Sequence, residues 1–257
     1  MTANVLRTLE RGLDILLLCG DEPDGISLEY IMENLRLPRS TAYRMVGVLR
    51  SRGFLRPTGV PGHFDLGHQL CHIARLAESR LNLGAIARPT MCELVSEVHE
   101  TALILVRSGW KVLCLEEVQS PQTIQVRFDP GIALPLYAGA AAKVIFAFMS
   151  RYEQDKALQG KLPALSQPGF INKKELRNEL KAIRKARVAI SCGDVHPGVT
   201  GVSVPVFASN QQFLAGLTVA GPVDRMPPER HAELVAKLRI AADKISEAYS
   251  KAARLNK

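Results

Sequence analysis

The sequence has few aromatic residues, no long apolar run and no paired cysteines. Aromatic side chains make up 5% of the 257 residues, with a single tryptophan, Trp110. The longest apolar run, residues 132–149, is broken by Pro135 and Lys143, so we expect no membrane span. The five cysteines are scattered and odd in number. The polar start of the sequence leads us to expect no signal peptide. We therefore expect a cytoplasmic protein with buried free thiols and no disulfide framework.

The sequence also lacks the common catalytic motifs. There is no G-x-S-x-G, H-E-x-x-H or G-x-G-x-x-G. Residues 138–143 resemble a phosphate loop in part, but Val144 stands where Ser or Thr would follow the lysine. Close packing of a helix start, with backbone N–H groups turned toward a ligand carboxylate, is the better interpretation. Asp194 and His196 could form an acid–base pair, but no nucleophile accompanies them. We expect no catalytic residue and no cofactor.

One metal-like spacing occurs in the sequence. His68 and His72 are four residues apart, beside Cys71, and could share one face of a helix. A third ligand is not evident, and exposed or dimer-interface histidines explain the spacing better than a metal site does. We expect no metal site.

Positive charge is unevenly distributed. The net charge is +8, but residues 1–80 hold ten Arg, no Lys and nine Asp or Glu, a net of +1. Within this segment, residues 34–64 contain no Asp or Glu. They contain six of the ten arginines, namely Arg36, Arg39, Arg44, Arg50, Arg52 and Arg56. Such a stripe suits phosphate binding, and a guanidinium can also grip guanine edges. A second basic run, residues 173–187, favours a solvated helix face over another nucleic-acid patch.

The spacing of apolar residues predicts a helix-turn-helix with a wing. A helix ends at Gly20, a short one follows Ser27, and a third spans Arg39 to Ser51. On the third, the apolar positions Ala42, Val46 and Leu49 fall opposite the polar positions Ser40, Arg44, Gly47 and Ser51. Two short strands, 54–56 and 63–66, flank a Pro- and Gly-rich turn.

After the wing the pattern becomes helical and then mixed. Leu66, Leu70, Ile73 and Ala77 form one stripe, which predicts a linker helix that pairs with a second subunit or packs on its own domain. Pro89 suggests a break or late start in the next helix. Strands are expected at 101–106, 112–117, 123–126, 199–207 and 214–220, and helices at 138–149, 173–186 and 227–253. We expect an α+β protein with an antiparallel sheet.

Two stretches resemble the IclR family of bacterial transcription regulators. The N-terminal one is LPRSTAYRMVGVLRSRGFL with FDLG after it; the C-terminal one is GIALPLYAGAAAKVIFAF followed by SCGDVHPGVTGVSVPVFASNQQFLAGLTVAGP. The resemblance implies a winged helix-turn-helix at 1–66, a linker helix at 67–82 and a GAF-like effector-binding and oligomerisation domain at 83–257. It also implies a homodimer or dimer of dimers on a palindromic site in double-stranded promoter DNA, acting as repressor or activator.

The resemblance also assigns residues. DNA contacts are expected from Arg39, Ser40, Thr41, Tyr43 and Arg44, with Arg50 and His63 as weaker candidates. The effector pocket is expected to be lined by Leu134, Tyr137, Gly139, Ala140, Ala141, Asp194, Gly201, Val202, Thr218 and Ala220. Gly201 and Ala220 stand where some relatives carry polar or cysteine side chains. These substitutions favour an aromatic or otherwise bulkier organic acid over a small polar one.

Three functions are compatible with these features. The first is a ligand-responsive regulator of a metabolic, and by preference catabolic, operon with a small organic acid as effector. The second is a small-molecule enzyme with an autoregulatory DNA-binding domain, and the missing catalytic motifs argue against it. The third, an architectural DNA binder, leaves the large C-terminal region unexplained.

Overall fold

The protein is described here by a computed structural model that covers residues 2–80, 82–128, 131 and 133–255. Contacts divide the chain into two compact units, residues 1–81 and 82–257. Within the described ranges, no helix is long and apolar enough to cross a bilayer.

The first unit is a winged helix-turn-helix, as predicted. Its elements are α1 (Thr2–Gly20), β1 (Ile26–Ser27), α2 (Leu28–Leu35), α3 (Arg39–Ser51), β2 (Leu55–Pro57), β3 (His63–Leu66) and α4 (His68–Arg80). The wing strands β2 and β3 pair antiparallel, and β1, which the sequence did not reveal, adds a third strand beside β3.

Local sequence signals explain the helix-turn-helix. Ser27 caps α2 by accepting a hydrogen bond from the Tyr30 N–H at 3.0 Å. Arg36 adopts a left-handed conformation (φ 49°) that ends α2, and its N–H donates to the Met32 carbonyl. The inward face of α3 is as predicted, with Ala42 and Val46 buried in the core of this unit.

Two glycines allow the end of α3 and the start of α4 to meet. Gly53, at φ 74°, makes the turn into β2, and Gly67 follows β3. The Gly67 N–H donates to the Phe54 carbonyl at 2.8 Å, and the Gln69 N–H donates to the Gly53 carbonyl at 3.1 Å. A Cβ on Gly67 would lie only 2.1 Å from the Gly53 oxygen, so this crossing requires glycine.

The second unit is an antiparallel sheet covered by helices on both faces, the GAF-like arrangement. Its elements are α5 (Leu83–Val98), β4 (Thr101–Ser108), β5 (Lys111–Val118), β6 (Ala133–Pro135), α6 (Gly139–Phe148), α7 (Arg151–Ala157), α8 (Lys173–Ala186), β7 (Ala189–Cys192), β8 (Val199–Phe207), β9 (Phe213–Pro222) and α9 (Pro228–Leu255). The strand order is β6-β5-β4-β9-β8-β7.

The sheet separates two hydrophobic cores. Strand residues alternate between them: Leu103 and Leu105 face the core that contains α6 and α8, whereas Ala102 and Ile104 face the core that contains α5 and α9. The α6 side carries the cavity described below.

Several sequence expectations are wrong. The helix α5 begins at Leu83 and runs through Pro89 instead of breaking there. Residues 123–126 form a loop, because they make no strand pairing. All five cysteines are free, but Cys71, Cys92 and Cys192 are exposed. Burial was inferred from apolar neighbours in sequence, and these three fall on the outward positions of their elements.

Candidate functional sites

The outward face of α3 is polar, cationic and small. Arg39, Ser40, Tyr43 and Arg44 are exposed, with 71% of Tyr43 accessible, and Thr41 is half-buried. Gly47 lies on the same face, where a Cβ would meet nothing within 4 Å. Packing inside the protein therefore does not require a glycine at this position. A small residue there lets the helix approach a DNA groove closely.

The arginines of this face lack carboxylate partners within the described residues. No ion pair there involves Arg39, Arg44 or Arg52. Arg56 differs, because it pairs with Asp65 and donates to the Leu66 carbonyl at 3.1 Å. Charge on α3 is thus available to an external anion, whereas that of Arg56 is partly neutralised.

The two weaker DNA candidates lie at the wing. The Arg50 guanidinium stands 5.7 Å from the ring centroid of Phe64 in β3. His63 begins β3, is half-buried, and has a ring nitrogen 3.4 Å from the Pro61 carbonyl. Arg50 therefore contacts the wing from the last turn of α3, and the contact of His63 lies within the wing itself.

A largely apolar cavity in the second unit, here called the acid pocket, has a free volume of about 60 Å³. Its walls are Leu103, Leu105, Val126, Phe128, Leu134, Ala138, Gly139, Ala140, Ala141, Ser191, Asp194, Val195, His196, Val199, Gly201, Thr218 and Ala220. An apolar chamber with a few polar groups is the usual form of a small-molecule site.

The amino-terminal end of α6 opens into the acid pocket. Gly139 begins the helix at φ 82°, where a Cβ would lie 3.1 Å from Val195. Ala138 supplies no side-chain cap, and the Ala140 N–H donates to the Ser191 hydroxyl at 2.9 Å. The positive end of a helix dipole and its backbone N–H groups favour a bound carboxylate.

The pocket floor is made by neighbouring strands. Gly201 of β8 lies opposite Ala220 of β9, and neither carries a polar side chain. Thr218 does, but its hydroxyl donates to the Ser203 hydroxyl at 2.9 Å. The floor therefore presents mainly carbon to a ligand.

Asp194 connects the acid pocket to a wider neighbouring cavity of about 640 Å³. The Lys143 ammonium lies 2.7 Å from Asp194 and 2.8 Å from Glu179, and 12% of its side chain is exposed. Burial lowers the pKa of Lys143, but the hydrogen bonds and attraction of both carboxylates outweigh this and raise it above its ordinary value. The lysine stays charged and neutralises part of the negative charge that an acid would meet.

The structure brings eight of the ten sequence-assigned effector residues into the acid pocket: Leu134, Gly139, Ala140, Ala141, Asp194, Gly201, Thr218 and Ala220. Tyr137 instead lines the wider cavity. The assignment of Val202 is wrong, because its side chain is buried in the core on the α9 side of the sheet. Adjacent strand residues face opposite sides, so Gly201 and Val202 cannot both line one pocket.

Sequence reasoning missed a second set of lining residues. The strand positions Leu103 and Leu105 come from β4, and Val126 and Phe128 come from the loop after β5. Ser191, which caps α6, comes from the edge strand β7. Residues 102–106 are all apolar, so no alternation indicates which of them line the pocket, and no local pattern points to the loop.

Comparison with known proteins assigns the chain to a protein family. The family model described as the bacterial transcriptional regulator IclR C-terminal domain matches residues 76–247, and that of the IclR helix-turn-helix domain matches residues 8–59. The chain belongs to the IclR family. The matched family is one of bacterial transcription regulators, and this chain is a transcription regulator of that family.

Individual relatives cover nearly the whole chain. The regulator KipR of Bacillus subtilis is 28% identical, covering 95% of this chain and 97% of its own. The repressor IclR of Escherichia coli is 26% identical, covering 95% and 90%. The crystal structure of an IclR-type regulator from Silicibacter is 23% identical with a TM-score of 0.86, covering 95% and 96%. An IclR homologue from Microbacterium hydrocarbonoxydans, crystallised with 4-hydroxybenzoate, is 24% identical with a TM-score of 0.76, covering 95% and 99%.

Proposed function

We propose that this IclR-family chain reads double-stranded promoter DNA with α3 and responds to an organic acid bound in the acid pocket. The observation that carries the DNA-reading part is the sidedness of α3. Its inward face fills the core through Ala42 and Val46, and its outward face leaves Arg44, Ser40 and the bare Gly47 open to a partner. A recognition helix in the major groove needs this combination.

Replacing Arg44 with alanine should weaken operator binding by about 1–3 kcal/mol, because a guanidinium that contacts a base edge contributes that much. The operator is first selected from a random duplex library with the full chain, and affinities are then measured by gel shift. Arg151→Ala is the matched control, since it removes one exposed charge from the second unit. Equal losses for both variants, or none for Arg44→Ala, would contradict base reading.

The proposed effector is an aromatic or similarly bulky monocarboxylic acid drawn from catabolism. The apolar walls suit a ring, and the amino-terminal end of α6 suits a carboxylate. The 4-hydroxybenzoate bound by the Microbacterium relative is an acid of this class. Binding could alter DNA affinity only by favouring one arrangement of the protein over another.

We expect 4-hydroxybenzoate or benzoate to raise the thermal unfolding midpoint of the full chain, and Gly201→Val to abolish the shift. Space exists for one added methyl, since a Cβ at Gly201 would meet Ala140 at an ordinary 3.5 Å. The rest of a valine side chain would occupy the small free volume. Lactate serves as the short hydrophilic comparison. A chain that responds only to lactate, or a Gly201→Val variant that still responds to the aromatic acids, would overturn the proposed ligand class.

We also propose that the chain acts as a homodimer or dimer of dimers through apolar residues that its own fold leaves uncovered. On α1, Leu9, Leu13 and Leu17 are exposed at helical spacing, and Ile73 is exposed on α4. Leu66, which the sequence placed in the same pairing stripe, instead packs against the core of the first unit. The side chain of Ala77 lies outside the described residues. A monomeric mass by light scattering would contradict the proposal.

A further inference from the structure

A second cavity, here called the edge cavity, lies where the end of α8, the end of β8 and α9 meet. It has a volume of about 380 Å³ and shares no wall residue with the acid pocket. Three cations line it, Lys185, Arg187 and Arg239, together with one carboxylate, Asp243. Its charged walls therefore carry a net of +2, whereas the one carboxylate that the described residues place on the wall of the acid pocket, Asp194, is paired with Lys143.

The three cations are not engaged with carboxylates. Within the described part of the chain, no ion pair involves any of them. The Arg239 guanidinium donates once, to the Ala186 carbonyl at 3.0 Å. The Arg187 guanidinium lies 5.0 Å from the ring centroid of Phe207. Each guanidinium has five N–H donors, so both keep most of theirs for a ligand.

The edge cavity is also firmly built. The Phe207 ring is packed edge-on against Phe148 and Phe213, at centroid distances of 5.2 and 5.8 Å, so the platform under Arg187 is fixed. Arg187 itself ends α8 in a left-handed conformation, and its N–H donates to the Ile183 carbonyl. The backbone of Arg187 and the ring beside its guanidinium are thus ordered before a ligand binds, and the side chain itself is exposed.

The ordinary role of cations at a helix carboxyl end does not account for this charge. The end of a helix carries about half a negative charge, which a single cation offsets. Three cations, Lys185, Arg187 and Arg239, surround the carboxyl end of α8. Residues 82–257 hold 23 Lys and Arg against 16 Asp and Glu, a net of +7, although the DNA-reading helix lies in the other unit. Most of the chain's excess positive charge thus lies outside the unit that contains α3.

We propose that the edge cavity binds a phosphate monoester, as a second small-molecule site distinct from the acid pocket. A phosphate monoester carries nearly two negative charges at neutral pH, which matches the +2 of the walls. Guanidinium groups bind phosphate oxygens in pairs, and the cavity is within the size range of small-ligand sites. The site would let a phosphorylated metabolite bind beside an organic acid, and it stands independently of the proposed acid response.

The test uses the full chain with inorganic phosphate and a sugar phosphate, measured by calorimetry at low ionic strength. We expect saturable binding of the sugar phosphate, weakened about tenfold or more by the double variant R187Q/R239Q, because charge-assisted hydrogen bonds are lost. The matched control is K174Q/K181Q. It removes the same charge from exposed positions of α8 outside the cavity and should change affinity about twofold or less.

Three outcomes would overturn the proposal: no saturable binding, equal losses in the control, or inorganic phosphate and sugar phosphate both unaffected by R187Q/R239Q. A variant that loses affinity for nonspecific duplex DNA while keeping sugar-phosphate binding would assign the surface to DNA backbone instead. Trp110 fluorescence reports whether the second unit stays folded. If the double variant unfolds, Lys185→Gln, at an exposed position, replaces it.

Discussion

Gly67→Ala should destabilise the winged helix by about 3 kcal/mol or more and abolish DNA binding. The added Cβ would lie 2.1 Å from the Gly53 oxygen, 2.7 Å from the Gly53 carbonyl carbon and 2.9 Å from that of Phe54. These are backbone atoms and cannot rotate away, so the chain segments must separate. Separation would break the hydrogen bonds from Gly67 to Phe54 and from Gln69 to Gly53, which join the wing to the end of α3.

The measurement is peptide-resolved hydrogen exchange of the full chain. Peptides from residues 1–81 should exchange faster in Gly67→Ala, and peptides from 82–257 should not change. Gly59→Ala is the control: it lies in the same hairpin, has no neighbour within 4 Å of the new Cβ, and should alter stability by about 0.5 kcal/mol or less. Protection of the winged helix that survives Gly67→Ala would refute the tight crossing.

Glu100→Ala should cost the second unit about 2–3 kcal/mol of stability, since it removes two charge-assisted hydrogen bonds from Arg225, whose side chain is 31% exposed. Glu100 is 2% exposed, and Arg225 grips both of its oxygens, at 2.6 and 2.8 Å. Its hydrogen bond to Glu100 raises the pKa of Arg225 above the ordinary value. Gly221 leaves the room for this carboxylate, because a Cβ there would lie 2.4 Å from it.

The same guanidinium holds the loop that leads to the acid pocket. Arg225 also donates to the Ile124 carbonyl at 2.9 Å, in the loop that carries Val126 and Phe128 into the pocket wall.

The stability of the Glu100→Ala variant is measured by urea denaturation followed by Trp110 fluorescence. Glu93→Ala is the control, because the Glu93–Lys244 pair has a similar length, 2.7 Å, but is more than half exposed and should contribute about 1 kcal/mol or less. Similar losses for the two variants would contradict the distinction.

Regular periodicity made most of the first unit predictable. The bounds of α3 and its inward residues followed from the spacing of Ala42, Val46 and Leu49, because a short exposed helix must bury one stripe. The two-residue strand β1 has no pattern of its own and exists because β3 offers an unpaired edge. Such pairings depend on neighbours distant in sequence.

Tertiary packing determines the structure of the elements that were predicted wrongly from the sequence. Pro89 removes a hydrogen-bond donor from α5, yet Ala87 and Met91 on either side of it are fully buried and hold the helix through it. The residues of the acid pocket likewise divide into those that could be assigned from the sequence and those that depend on tertiary contacts. Its assigned residues near α6 and in β8 and β9 came from the family resemblance, whereas the loop residue Phe128 is fixed by a hydrogen bond from its N–H to buried Glu117 at 2.7 Å.

The tightness of the acid pocket has a consequence for signalling. About 60 Å³ is well below the roughly 300 Å³ at which drug-sized ligands begin to be enclosed. A ring-sized guest therefore cannot enter without pushing the walls apart. Asp194 forms one of these walls, and Lys143 links it to Glu179 on α8. The size of the bound molecule would then determine the response. A molecule large enough to displace Asp194 would shift α8 through Lys143 and Glu179, and a smaller molecule would leave α8 in place.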